Sequence, residues 1–157
     1  MLPMLMTHPT GWANPVILRA SAALAGAGAW DATPTESFTS GAQNVTLAFT
    51  YTRGAAGGAV DFQIEVSPYA VIGNVPATAS EWITQSVYAA GGVVAGADTT
   101  SLVQRELQSY TSQGAAAEDW VLGPIPLNGT IERIRVRARE SGVVGTPGTF
   151  SIVAELF

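Results

Sequence analysis

The 157-residue sequence contains no cysteine, no lysine and only one histidine, His8. Without cysteine the chain can form neither a disulfide framework nor a thiolate metal site. Without lysine it lacks a residue that every phosphate-binding P-loop requires, so the glycine-rich stretch GAAGG (54–58) predicts a turn. A Ser-His-Asp triad would depend on His8, which lies in an irregular terminal segment that is a poor scaffold for catalysis.

Charged residues are also scarce. They make up 12% of the chain, roughly half the usual share of a globular domain. The net charge is −5 and neither half of the chain is basic, so the electrostatic pattern of a nucleic-acid-binding protein is missing. A surface with few charges and many Ala and Gly residues suits packing against other proteins, and the codon bias of a GC-rich genome would produce the same composition. No apolar run has the length of a bilayer span, and no targeting segment is predicted.

The acidic residues form no pattern typical of catalysis. Asp61 and Glu65 share one face of a predicted strand at roughly 13 Å, beyond the roughly 5–9.5 Å between glycosidase carboxylates. Glu118 and Asp119 are adjacent and predict the solvated start of a helical turn. The sequence has no D-x-[DN]-x-[DN]-G calcium loop, which leaves only calcium held by loop carbonyls near Asp98 or Asp119. We therefore expect no enzyme activity and no cofactor.

Alternation of apolar and polar residues is the clearest signal in the sequence. In QNVTLAFTYTRGAAGGAVDFQIEVS (43–67) it occupies both sides of the glycine-rich turn, and it predicts an antiparallel hairpin with one buried and one solvated face. The residues predicted to face inward are Val45, Leu47, Phe49, Tyr51, Val60, Phe62, Ile64 and Val66.

Further short strands are predicted in NPVILRASAALAGAGAW, ESFTS, EWITQSVY, WVLGPIPL and TFSIVAELF. WVLGPIPL is assigned to a sheet edge because its prolines cannot donate ladder hydrogen bonds. SLVQRELQSYTS fits a helix or a strand, and its all-β surroundings favour a strand. About eight to ten short strands at this spacing indicate an all-β fold, a two-sheet antiparallel β-sandwich of jelly-roll type. We assign residues 16–157 to this single domain and residues 1–15 to an extended N-terminal arm.

Four of the seven arginines stand at alternate positions in TIERIRVRARE (130–140). In a strand they share one face over roughly 20 Å. That face could be paired with acids on neighbouring strands (Asp61, Glu65 or Glu155), could bind a protein partner, or could contact nucleic acid. The strand lacks the interleaved aromatic residues that single-strand binders use for stacking, so the first interpretation is favoured and the second comes next. This arginine row consists of Arg133, Arg135, Arg137 and Arg139.

Tryptophan side chains leave a sugar-binding module as an alternative, because exposed indole rings stack on sugars. Trp82 and Trp120 stand at predicted strand starts, where packing in the core or at its rim is the commoner role. The candidate platform residues are Trp12, Trp30, Trp82 and Trp120.

The hairpin, EWITQSVY, GPIPLNGTIERIRVRARE and the final strand together resemble jelly-roll virion proteins of tailed bacteriophages, particularly capsid decoration (cement) proteins. The resemblance covers roughly residues 40–157 and lies in strand order and texture, so it assigns no functional residues. It implies a non-enzymatic homo-oligomer, a trimer, on the capsid exterior. Such a protein binds the major capsid protein or another virion protein and braces neighbouring subunits with extended termini. Sugar-binding jelly rolls share this texture and supply the alternative function.

The N-terminal segment MLPMLMTHPTGW (1–12) is apolar but is interrupted by Pro3, Pro9 and Gly11, so it predicts an extended arm and no helix. Burial of its side chains in a neighbouring subunit could contribute roughly 1.5–3 kcal/mol per side chain before ordering costs. An arm folded back on its own domain is the alternative. The candidate interface residues are Leu2, Met4, Leu5, Met6 and Trp12, together with the arginine row. Neither nucleic acid nor membrane is expected as a partner.

Overall fold

The computed structural model describes residues 15–68, 82–85, 87–89, 103–127 and 131–157. Within these ranges it contains eleven β-strands, one 3₁₀ turn at Gly26–Gly28 and no α-helix. The strands are β1 (Val16–Ala23), β2 (Glu36–Phe38), β3 (Asn44–Thr52), β4 (Ala59–Pro68), β5 (Ile83–Thr84), β6 (Val87–Ala89), β7 (Val103–Arg105), β8 (Gln108–Thr111), β9 (Glu118–Pro126), β10 (Ile131–Glu140) and β11 (Thr149–Leu156). In the same ranges no helix is long and apolar enough to cross a membrane. The prediction of an all-β fold is confirmed, and SLVQRELQSYTS contributes strands.

The strands form two main antiparallel sheets. One sheet has the order β1-β11-β3-β9, and the other has the order β2-β10-β4-β5 with β8 also paired to β4. The pairing is nested, because β1 pairs with β11, β2 with β10, β3 with β9 and β4 with β8. Nesting of this kind rolls one long antiparallel hairpin into two facing sheets, which is the jelly-roll topology. The predicted two-sheet sandwich is therefore confirmed. A separate two-stranded ladder joins β6 and β7.

The hairpin predicted for residues 43–67 is wrong in its pairing. Its inward-facing side chains are buried as predicted, but β3 pairs with β11 and β9, whereas β4 pairs with β10, β5 and β8. The connection at residues 53–58 thus crosses from one sheet to the other. Phe49 and Phe62 meet across the core with ring centroids 4.5 Å apart. The prediction failed because alternation determines which side chains enter a core and does not determine which strand supplies the hydrogen bonds.

Aromatic side chains fill the centre of the sandwich. Phe150 of β11 lies 5.9 Å from Phe49 and 5.8 Å from Phe62, measured between ring centroids. Trp120 of β9 stacks on Phe49 at 5.4 Å and on Tyr110 of β8 at 4.1 Å. Each fully buried phenylalanine contributes roughly 1.5–3 kcal/mol, so these contacts hold the two sheets together and give the arginine row a rigid support.

The outer edges of both sheets are poorly suited to pairing with a further strand. The β9 edge, predicted from its prolines, carries Pro124 and Pro126, and the β1 edge has two register shifts against β11. On the other sheet β2 has three residues and β5 has two. Short, irregular or proline-containing edges prevent edge-to-edge association. Contacts with other proteins are therefore expected on faces and chain ends.

Several sequence-based assignments lie outside the described residues. They concern the N-terminal arm and its candidate contacts, the single histidine and one candidate calcium ligand. These residues are Leu2, Met4, Leu5, Met6, His8, Trp12 and Asp98.

Candidate functional site

The arginine row lies on the outer face of β10, while Ile134, Val136 and Ala138 of the same strand are buried in the core. Strands β2 and β4 flank β10 and bring carboxylates against the guanidinium groups. Each of the four arginines has an acidic partner. The pairs are Arg133–Glu36 at 3.1 Å, Arg135–Glu36 at 3.6 Å, Arg135–Glu65 at 2.5 Å, Arg137–Glu65 at 3.7 Å and Arg139–Asp61 at 2.9 Å.

Two indole rings cover the arginine row from outside. The Arg135 Cζ lies 4.1 Å and the Arg133 Cζ 5.2 Å from the ring centroid of Trp82. Over Trp30 the corresponding distances are 4.6 Å for Arg139 and 5.8 Å for Arg137. A guanidinium group within about 6 Å of an indole centroid is stabilised by roughly 0.5–2 kcal/mol, depending on its desolvation. Each arginine therefore contacts both a carboxylate and an aromatic ring.

The outer face of β4 is less solvated than the sequence predicted. Asp61 and Glu65 were expected to face water, yet the side chain of each is only 9% exposed. The arginines opposite them on β10 cover both carboxylates. Glu155, the third acid considered, lies on β11 of the other sheet. Sequence reasoning missed Glu36 of β2 and the two tryptophans as partners, because all three lie far from β10 in the chain.

Exposure divides the arginine row into two halves. The side chains of Arg133 and Arg135 are 15% and 12% exposed, whereas those of Arg137 and Arg139 are 33% and 34% exposed. Arg133 and Arg135 are covered by contacts within the domain, with Glu36, Glu65 and Trp82. The second half keeps about a third of its side-chain surface accessible to another molecule.

Glu140, the last residue of β10, is a buried carboxylate that sequence analysis missed. It is 0% exposed and accepts hydrogen bonds from Tyr51 Oη at 2.9 Å, from the Ala59 amide at 2.9 Å and from the Gly148 amide at 2.8 Å. A Cβ at Gly148 would lie 2.5 Å from the Thr52 carbonyl oxygen, so glycine is required for this approach. The carboxylate thus ties β3, the start of β4 and the turn before β11 together.

The contact with Glu140 predicts a weakening of the fold at alkaline pH. Burial first, and then the hydrogen bond to Glu140, raise the pKa of Tyr51 above its ordinary value of 10.0. The unfolded chain releases this proton near pH 10 and the native chain does not, so the free energy of unfolding should fall as pH rises above about 10. Burial and Glu118 also raise the pKa of Tyr110, so Tyr51→Phe should reduce this slope without abolishing it. Urea titrations of the wild-type chain and of Tyr51→Phe at pH 9 to 11.5 measure the slope of the free energy of unfolding against pH. Equal slopes for the two chains would contradict the role given to Tyr51.

The described tryptophans all make ring contacts within the domain. Trp82 and Trp30 each have two arginines stacked over the ring, and Trp120 lies between Phe49 and Tyr110. Trp120 is therefore packed against the core, and Trp30 and Trp82 are half-buried with guanidinium groups over the ring. Trp12, the fourth candidate, lies outside the described residues.

The acids near the β8–β9 turn are used for local hydrogen bonding. Glu118 begins β9, contrary to the predicted helical turn, and its Oε1 accepts the amides of Gln113 at 2.9 Å and Gly114 at 3.0 Å. Asp119 accepts the hydroxyl of Thr50 at 2.5 Å. Across the residues that the structure describes, no group of three or more His, Cys, Asp or Glu side chains is arranged to hold a metal ion.

Large apolar side chains are exposed at the end of the sandwich where β1 begins. Phe38 is 67% and Phe157 56% exposed. They border a groove of about 450 Å³ that is also lined by Val16, Ala42 and Leu156 and by no charged residue. The predicted N-terminal arm joins the domain immediately before Val16, so this apolar surface lies at its base.

Comparison with known proteins finds no matching family model and no significantly similar curated protein. Among solved structures, similarity extends to VP2 of an infectious bursal disease virus subviral particle, with 15% identity and a TM-score of 0.37 over 91% of this chain and 31% of that one. It also extends to a chain of the picornavirus capsid of equine rhinitis A virus, with 9% identity and a TM-score of 0.38 over 92% and 72% of the two chains. The tobacco streak virus coat protein shows 10% identity and a TM-score of 0.30 over 94% and 88%.

All three are viral capsid or coat proteins. This chain spans about a third of the length of the first of them. At these TM-scores the function has to be argued from the residues of this chain.

Proposed function

We propose that the protein is a structural component of a virus shell, of the phage-like decoration type, which self-associates and covers contacts between shell subunits without catalysing a reaction. The observation that carries the proposal is the distribution of charged and apolar side chains over the jelly roll. The charged groups of the arginine row are paired inside the domain, whereas large apolar side chains are exposed at strand ends and sheet edges. Such a surface offers contact area to other proteins in place of a reactive cleft.

The arginine row supports a mechanical role. Two flanking strands and two indole rings fix its guanidinium groups, so the outer face of this sheet is a rigid lattice of charges. Cross-strand ion pairs contribute roughly 0.2–1 kcal/mol each, which stiffens the sheet against shear. Arg137 and Arg139 retain about a third of their surface and are the members of the row available to an acidic patch on a capsid protein.

The N-terminal arm supplies the second contact in this proposal. Residues 1–12 contain no Asp, Glu, Lys or Arg, and at roughly 3.3 Å per residue the segment before Val16, fully extended, would reach about 50 Å. Leu2, Met4, Leu5 and Met6 would then lie over a neighbouring subunit. Insertion of these four side chains into an apolar site would join subunits whose sheet edges are poorly suited to pairing.

Deleting residues 1–12 is expected to leave the sandwich folded and to weaken self-association. Loss of even one well-buried arm side chain, at roughly 1.5–3 kcal/mol, raises a dissociation constant by at least about tenfold. Sedimentation velocity across a concentration series compares the full chain with the deletion and with a chain in which the four apolar arm residues are serine. Thr7→Ser with Thr10→Ser serves as the matched control and should sediment as the full chain does. A full-length chain that stays monomeric at 16.2 kDa at every concentration would overturn the proposal.

A further inference from the structure

The outer face of the sheet β1-β11-β3-β9 carries an apolar row that crosses all four strands. Ile17 of β1 is opposite Val153 of β11, Val153 is opposite Ala48 of β3, and Ala48 is opposite Val121 of β9. Alternation along each strand directs these residues outward, because Leu18, Ile152, Ala154, Leu47, Phe49 and Leu122 beside them in the chain are buried. Ile17 is 59% and Val121 48% exposed at the two ends of this row, whereas Val153 is half-buried and Ala48 is 9% exposed between its neighbours. We call these four residues the apolar row.

The surroundings of the apolar row contain few charges. On one side lies the register line of Ser151, Thr50 and Asp119, and on the other side Glu155 is opposite Thr46. Asp119 is held at the β9 edge by the Thr50 hydroxyl. This face therefore contrasts with the opposite face of the sandwich, on which acids, arginines and tryptophans alternate. A sheet face of small and β-branched side chains has the composition of a face that packs against another sheet.

We infer that this face docks onto the same face of a second copy of the chain, with the apolar row at the centre of the contact. A face that meets its own copy about a two-fold axis is self-complementary, and the row then lies against itself. Flat sheets with small side chains approach to about 10 Å. Four strands spaced by about 4.8 Å, each about eight residues long, present roughly 500 Å². Two such faces cover about 1,000 Å², the lower limit of a specific interface.

The electrostatics of the chain favour this face over the others for a contact between two copies. With a net charge of −5, two copies repel each other wherever their acids meet, and the apolar row is a region in which an approach brings no charge into the centre of the contact. Asp119 and Glu155 remain at its margins, where salt screens them. Self-association through this face should therefore persist or strengthen as salt is raised. Association through Arg137 and Arg139 should weaken under the same conditions.

The inference rests on the self-association in the proposed function and locates that self-association on one face. The test therefore has to distinguish failure of the inferred face from failure of the proposed function. Val121→Glu and Ile17→Glu place a carboxylate at either end of the apolar row, on the two edge strands of the sheet, and we expect each to raise the dissociation constant of self-association at least about tenfold. Val143→Glu is the matched control, because Val143 is also exposed, at 40%, but lies in the turn between β10 and β11. It should leave self-association unchanged.

Sedimentation velocity at 0.1 and 0.5 M NaCl provides the measurement, and circular dichroism with thermal unfolding checks that each variant is folded. Self-association that is lost in Val121→Glu and Ile17→Glu and retained in Val143→Glu supports the inference. Wild-type association in both row variants, together with loss on deletion of residues 1–12, overturns this inference and leaves the proposed function standing. A full-length chain that never self-associates overturns both.

Discussion

Replacing Glu140 with alanine is expected to lower the free energy of unfolding by about 3–5 kcal/mol, because each of three buried donors left without an acceptor costs about 1–3 kcal/mol. The donors are the Tyr51 hydroxyl and the amides of Ala59 and Gly148. In a chain of this length the corresponding fall in Tm is roughly 10 °C. The loss is large because the affected groups belong to both sheets, so no single strand can relax to satisfy all of them.

Urea titration and differential scanning calorimetry measure this effect. Glu106→Ala removes an exposed carboxylate and should change stability by less than about 0.5 kcal/mol. Glu140→Gln keeps the shape but turns an amide NH₂ toward buried donors, so it should also destabilise the protein, by less than alanine does. An alanine variant that unfolds at the wild-type urea concentration would show that the Glu140 carboxylate does not hold the two sheets together.

Reversal of Arg135 to glutamate is expected to cost roughly 3 kcal/mol, because removing one partner of a buried ion pair costs about 3–5 kcal/mol and the Arg135 side chain is 12% exposed. The new carboxylate would face Glu65 and Glu36, with which Arg135 now pairs at 2.5 and 3.6 Å. It would also lose the cation–π contact with Trp82 at 4.1 Å. The effect combines like-charge repulsion with loss of packing.

Two companion variants test the cause of this loss. Arg137→Glu, at a side chain 33% exposed and 3.7 Å from its acid, should cost no more than about 1 kcal/mol. Combining Arg135→Glu with Glu65→Arg should recover part of the lost stability, as a double-mutant cycle measures. If Arg135→Glu and Arg137→Glu lowered the free energy of unfolding equally, the division of the arginine row into a buried and a more exposed half would be contradicted. Salt-sensitive binding of duplex DNA that Arg135→Glu abolishes would assign the row to nucleic acid instead.

Alternation in the sequence predicted the strands that form the centre of the sandwich. Inward positions of β3 and β4 were assigned from a period of two, and Pro124 and Pro126 placed β9 at an edge. The pairing of β3 with β4 was wrong because the turn at residues 53–58 can join strands within one sheet or between two sheets. Close contacts decide this, and they include the approach of Gly148 to Thr52 and Tyr51. Such contacts between distant parts of the chain leave no local pattern.

The acid partners of the arginine row were predictable only in part. Asp61 and Glu65 follow from alternation on β4, since a neighbouring strand would present them on the same face. Trp30 and Trp82 lie outside regular strands, so no periodicity indicates where their rings point. Glu140 had a signal that was overlooked: it continues the inward-facing series of Ile134, Val136 and Ala138. A carboxylate at the next inward position predicts a buried acid with dedicated hydrogen-bond donors.

The central claim is that this jelly roll is a shell protein that acts by contact alone. Heating shells assembled from the major capsid protein, with and without the purified chain, tests it most directly when co-sedimentation and rupture temperature are recorded on the same samples. We expect the full chain to co-sediment with shells at a fixed stoichiometry and to raise their rupture temperature. A chain lacking residues 1–12 should bind less and protect less. Absence of the full chain from the shell pellet, with an unchanged rupture temperature, would contradict the account.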